Sequence, residues 1–186
     1  QGRVRQCERL SGEDFNPSIL EEIKEIILKY QKPRYHLIRT KTGSEQEADI
    51  NNVKQFFGED DYDYKNYDMD SLSQETEFYD EETEETEFKT ELDFLLEKQP
   101  TKHTFIFLKE KARCAKTFKK KHIGIWYERF AKKFADDVVT QGLLGRATGY
   151  DDNGDSVIFS NLESIDKFER LWKSNFEDKS VKWISN

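Results

Sequence analysis

Three short apolar runs, HTFIFLK (103–109), HIGIWYERF (122–130) and DSVIFS (155–160), recur with helix-like stretches between them. This alternation constrains the chain more than any other feature. Runs of five to eight apolar residues separated by helices build βαβ units, in which a parallel sheet is covered on both faces. The intervening stretches carry helix signals. TELDFLLEKQ reads as a short amphipathic helix, ARCAKTFKKK as a basic one, DDVVTQGLLGRA as a third, and NLESIDKFERLWKSNF as a closing helix capped at Asn161 or Ser160. Upstream, NPSILEEIKEIILKYQKP places apolar residues at 19, 20, 23, 26, 27 and 30, with Asn16 as cap, Pro17 at the first turn and Pro33 as stop. RYHLIRT (34–40) reads as a strand and EADINNVKQFF as a helix ended by Gly58.

Charge divides the chain unevenly. The formal net charge is −8, yet residues 59–97 hold 17 acidic side chains against two basic ones, Lys65 and Lys89. Between residues 99 and 147 the tally reverses to 12 basic and four acidic. The field a ligand meets is set by the local face, so the acidic total does not argue against nucleic acid. With 35% apolar and 37% charged residues, part of the chain is expected to lie outside the core, and residues 72–90 read as an exposed, partly disordered insertion. A strand around residues 62–69 is an open option. Cys7 and Cys114 suggest neither a metal site nor a disulfide framework, and no apolar run approaches a membrane span, so a soluble, intracellular protein is expected. Residues 1–33 read as an N-terminal connecting helix region and 34–186 as the main domain, with the acidic insertion at about 59–91. The opening QGRVRQC, without methionine, reads as a cut from a longer polypeptide.

Two clusters carry candidate chemistry. In FIFLKEKARCAKTF a buried strand runs into Lys109, Lys111, Arg113 and Lys116. Ligands of open α/β sheets bind outside the carboxyl ends of the strands, so these cations suit backbone phosphates; a solvated basic helix face explains them equally well. In QGLLGRATGY, Arg146 stands among small residues that permit close approach. A helix starting near Asp137 puts Gln141 and Gly145 on one face with Arg146 adjacent, as an arginine reaching a terminal phosphate requires. Pairing of Arg146 with Asp151, Asp152 or Asp155 is the competing reading. Trp126, Trp172 and Trp183 read as packing residues, with base stacking by Trp126 or Tyr127 as a lesser option. His36, His103 and His122 lack metal spacing. Asp80 with Glu87-Phe88-Lys89 imitates a nuclease half-site in a segment too polar for one.

VVTQGLLGRATGY resembles motif VI of superfamily 2 helicases, and HTFIFLKEKARCAKTF, KKHIGIWYERF and DSVIFSNLESIDKFERLW are similar, in order and spacing, to the second RecA-like domain of a virus- or phage-type subgroup. The resemblance covers roughly residues 92–172, with a looser echo in KPRYHLIRT. It implies a three-layer RecA-like fold with a mostly parallel sheet. It also implies a missing N-terminal RecA-like domain that holds most of ATP and Mg²⁺, and single-stranded nucleic acid crossing both halves. The compartment implied is the host cytoplasm or a virion. By the same resemblance Arg146 and Gln141 are catalytic, Gly142, Gly145 and Arg146 border the nucleotide, and Lys109, Lys111, Arg113, Lys116 and Thr117 contact the strand. Two features depart from the family: Gly149 stands where a second motif VI arginine is usual, and the stretch before Gln141 is short for motif V. No Gly-x-x-x-x-Gly-Lys-[Ser/Thr] loop and no apolar strand ending in Asp-Glu occurs, so the chain alone should not hydrolyse ATP. The alternative is a non-catalytic interaction module that docks a basic partner through the acidic insertion.

Overall fold

A computed structural model describes residues 3–68, 74–81, 83–109, 119–142 and 154–185. In chain order the elements are β1 (Val4–Gln6), α1 (Ser18–Ile27), β2 (Tyr35–Thr40), α2 (Ser44–Phe57), β3 (Tyr62–Tyr67), β4 (Thr76–Asp80), β5 (Glu85–Lys89), α3 (Glu91–Leu96), β6 (His103–Lys109), β7 (Ile123–Tyr127), α4 (Asp136–Gln141), β8 (Val157–Ser160) and α5 (Leu162–Lys173). Six strands form one sheet in the order β1-β8-β7-β2-β6-β3, and every neighbouring pair is parallel. The expected α/β architecture is therefore present, with a central sheet that is wholly rather than mostly parallel.

The central strands are buried on both faces, which is why they read as continuous apolar runs rather than as alternating ones. One face packs Ile38, Phe105, Phe107 and Phe159 against Ile19, Ile23 and Ile27 of α1 and Val53 and Phe57 of α2. The other packs Leu37, Ile106, Leu108 and Trp126 against Leu92 and Leu96 of α3. Local signals set the helix starts. The Asn16 side chain accepts from the Ser18 amide at 3.1 Å, Thr90 and Asp93 form a capping box at α3, and Asn161 accepts from the Ser164 amide at 2.8 Å.

Two expectations about domain organisation are corrected. Residues before 34 are no separate connecting region: β1 pairs with β8 through Val4, Arg5 and Gln6, and Cys7, Leu10 and α1 are part of the core. In the acidic stretch the strand left open at 62–69 is present as β3, so the insertion expected at about 59–91 does not begin at residue 59. β3 extends the sheet along six residues of β6, because Tyr62 and Tyr64 lay their rings on Phe105 while Asp63 and Lys65 face outward. The described part of the remainder forms an antiparallel hairpin, β4 with β5, in which Phe78, Tyr79 and Phe88 are exposed among acidic residues.

Candidate functional site at the carboxyl edge of the sheet

The strand order creates a crevice. From β2 the chain crosses by way of α2 to the β6–β3 side, whereas from β7 it crosses through α4 to the β8–β1 side. Neighbouring strands whose connections leave in opposite directions mark a topological switch point, where open α/β sheets hold ligands. Here that point lies between the carboxyl ends of β2 and β7.

Two charges are buried at the switch point. Arg39, next to last in β2, directs Nη1 at both carboxylate oxygens of Glu128, the residue after β7, at 3.1 and 3.2 Å. Their side chains are 8% and 3% exposed. The Glu128 carboxylate also accepts from the Arg129 amide at 3.0 Å, and the Glu128 amide donates to the Phe159 carbonyl, which extends the β7–β8 ladder past the pair. Beside it, Gln46 donates to the Thr40 hydroxyl at 2.9 Å and fixes the end of β2.

Gly142 closes this arrangement. Its surroundings leave no room for a side chain. A Cβ there would lie 2.5 Å from Glu128 Oε2, 2.8 Å from the Val138 carbonyl and 2.9 Å from Arg39 Nη1. At Gly142 the close approach is to the protein's own ion pair, not to a ligand. Gln141, the last residue of α4, is exposed directly before it, and Lys109 stands half-buried at the same edge, in register with Thr40. Gly145, Arg146, Lys111, Arg113, Lys116 and Thr117 lie outside the described residues.

The start of α4 is fixed as firmly as its end. Asp136 is 1% exposed; it accepts from the Ser164 hydroxyl, from Lys167 at 3.3 Å and from the Ile184 amide at 2.8 Å, while its own amide donates to the Ile184 carbonyl at 2.7 Å. Burial pushes its carboxyl up, but these bonds prevail and hold it below the ordinary aspartate range.

One cleft at this edge is small. Arg9, Arg39, Lys41 and Arg129 surround it together with Glu45 and Asp49, in a volume of about 30 Å³. A second cleft, of about 130 Å³, lies between Glu128, Phe134 and Val138. Lys41 pairs with Glu45 at 2.9 Å, and burial raises the carboxyl of Asp49, which accepts from Ser11.

Several side chains take structural places. Trp126 is fully buried, as is Tyr127, whose hydroxyl donates to the Glu8 carbonyl at 2.7 Å and accepts from the Glu8 amide at 2.9 Å. Neither ring is open to a base. Trp172, expected to pack, is 66% exposed. Lys89 pairs with Glu97 at 2.9 Å and Glu87 at 3.2 Å on the exposed hairpin, so the nuclease imitation has no buried strand behind it. No metal-holding group of His, Cys, Asp or Glu occurs among the described residues, and none of their helices is long and apolar enough to cross a membrane. The sequence reading missed Arg39 and Glu128. Their signal was a charge at the end of an apolar run, RYHLIRT and IGIWYER, a position from which it must be paired or exposed.

Comparison of the chain with family models, curated proteins and solved structures gave no match.

Proposed function

We propose that this chain is the C-terminal RecA-like half of an ATP-dependent nucleic-acid helicase or translocase. The observation that supports the reading best is the stack of Arg39, Glu128 and Gly142 at the switch point. It anchors the start of the Gln141–Arg146 segment at the edge where α/β sheets receive ligands. Of the three acids in the competing account, Asp155 is engaged by Arg34 at 2.7 Å, while Asp151 and Asp152 lie outside the described residues.

On this reading a preceding RecA-like domain of the same polypeptide holds most of ATP and Mg²⁺, which supply the free energy of the cycle. This chain orients and neutralises. Arg146 presents a permanently charged planar fork to the phosphate oxygens that gain charge, and Gln141 supplies an amide beside it. Lys109 and the cations after it hold strand phosphates. Domain closure that differs between nucleotide states then shifts the grip on the strand.

The test uses the polypeptide with its preceding domain. Arg146→Ala is expected to lower nucleic-acid-stimulated ATP hydrolysis by about 10³-fold with strand binding retained. Unchanged turnover would exclude the role of Arg146. The second reading, a non-catalytic module for a basic partner, draws on the hairpin, where Phe78 and Phe88 stand exposed among Glu77, Glu85 and Glu87. It predicts a polypeptide that binds such a partner through those side chains and hydrolyses no ATP.

A further inference from the structure

The opposite, amino-terminal edge of the sheet carries an open cavity of about 630 Å³. Lys29 and Lys32 reach it from the turn after α1, Arg34 from the entry to β2, and Lys121 and His122 from the entry to β7; Asp155, before β8, is the acid on its wall. Arg34 is held in place. Its Nη2 meets Asp155 at 2.7 Å, its Nη1 lies 3.4 Å from the carbonyls of Lys121 and Ile123, and its guanidinium sits 5.0 Å from the Tyr30 ring centre. Lys29, Lys32 and Lys121 are exposed and form no ion pair with a described residue. Burial first, then the charges of Lys121, Arg34 and Lys32, keep the His122 imidazole below its ordinary pKa, as a site of concentrated positive charge requires.

The shape of this site selects the kind of anion. A compact phosphate socket needs converging, rigid donors, commonly amides at a helix N-terminus. Here α1 ends rather than begins, so no helix N-terminus supplies converging amides, and Arg34 is the one cation fixed by surrounding bonds. Exposed cations from separate segments, spread around an open cavity, suit a chain of phosphates whose neutralisation releases counterions at several points. We propose that this cavity is a second nucleic-acid contact, in which Lys29, Lys32, Arg34 and Lys121 hold backbone phosphates of a strand at the sheet edge remote from Lys109. It shares its ligand class with the helicase reading and none of its residues.

The experiment measures binding of a labelled oligothymidylate of about 20 nucleotides across a salt series. Combined Lys29→Glu, Lys32→Glu and Lys121→Glu is expected to weaken binding about tenfold or more at ~0.1 M salt and to reduce the log–log salt slope by about 2. Unchanged affinity and slope would overturn the proposal. A parallel set, Lys109→Glu, Lys111→Glu and Lys116→Glu, separates it from the helicase grip. Loss in the parallel set alone overturns the second contact and leaves the grip standing; loss in the first set, with or without the other, supports the contact. Binding of inorganic phosphate or ATP that the first set abolishes, while oligonucleotide binding persists, would replace it with a small-anion site. Acylation of the unmodified protein provides a check independent of folding: the strand should protect Lys29, Lys32 and Lys121, and equal labelling with and without it would count against the contact.

Discussion

At the carboxyl edge of the sheet Arg39 and Glu128 are buried against each other beside a cleft of about 30 Å³; at the amino edge Lys29, Lys32 and Lys121 stand in solvent around a cavity of about 630 Å³. Charge does different work at the two ends. A buried pair has a large desolvation cost that its mutual attraction offsets only if geometry and further hydrogen bonds are right, so its value here is positional: it fixes where Gly142 rests. Solvated cations have almost no positional value, but they give the surface a field that a polyanion feels.

The contrast can be broken most directly at the buried pair. Glu128→Ala strands a guanidinium in the interior and is expected to destabilise the fold by about 3–5 kcal/mol in urea unfolding. Adding Arg39→Met to that variant should recover a large part of the loss, and a double-mutant cycle showing strict additivity would deny the coupling. Gly142→Ala comes next, at about 1–3 kcal/mol, because the added methyl meets carboxylate, carbonyl and guanidinium together and the ends of β2 and β7 must yield. A neutral result would mean that α4 is free to withdraw.

A smaller effect tests the amino edge through pH. His36 is fully buried there, its Nε2 3.0 Å from His103 Nδ1, and His103 Nδ1 also accepts from the Arg34 amide at 3.2 Å. Burial, then His103 and Arg34, hold the His36 pKa well below its ordinary value, and burial followed by Arg34 lowers that of His103. Below pH about 6.5 the unfolded chain therefore binds more protons than the native one, and stability falls as pH drops through that value, by at most about 1.4 kcal/mol per pH unit for each histidine. Urea midpoints compared at pH ~7.5 and ~5.5 should show the loss, and His36→Gln should flatten it. Equal slopes for the two proteins would place the acid sensitivity elsewhere.

The strands at 103–109, 123–127 and 157–160 were legible because double-sided burial demands unbroken apolar runs, and α1, α2, α3 and α5 because helical spacing and caps are local; most of the basic helix expected at 112–121 lies outside the described residues, and the helix expected to carry Gln141 and Gly145 on one face ends at Gln141. β1 was not legible. It has three residues, one of them apolar, and becomes a strand only because β8 offers an unpaired edge. The hairpin was hidden for a related reason, since in its acidic sequence the strand pairing is settled by cross-strand neighbours rather than by core burial. Gly124 shows the same limit. It is the extra residue where the β2–β7 register shifts, and a Cβ there would meet His36 and Tyr30 at 2.8 Å, a crowding visible only once both segments are together. At the candidate site the small residues around Gly142 announced close approach, but the object approached is assembled from residues 39 and 128, far apart in the chain. Arg146 was singled out by its local setting, and its surroundings lie outside the described residues.

Asp136 gathers α4, α5 and the segment around Ile184 onto one carboxylate. A pull on that last segment would be delivered to the first turn of α4 and, six residues later, to the glycine resting on the ion pair. The three pieces are thus moored to a single anchor set deep in the protein.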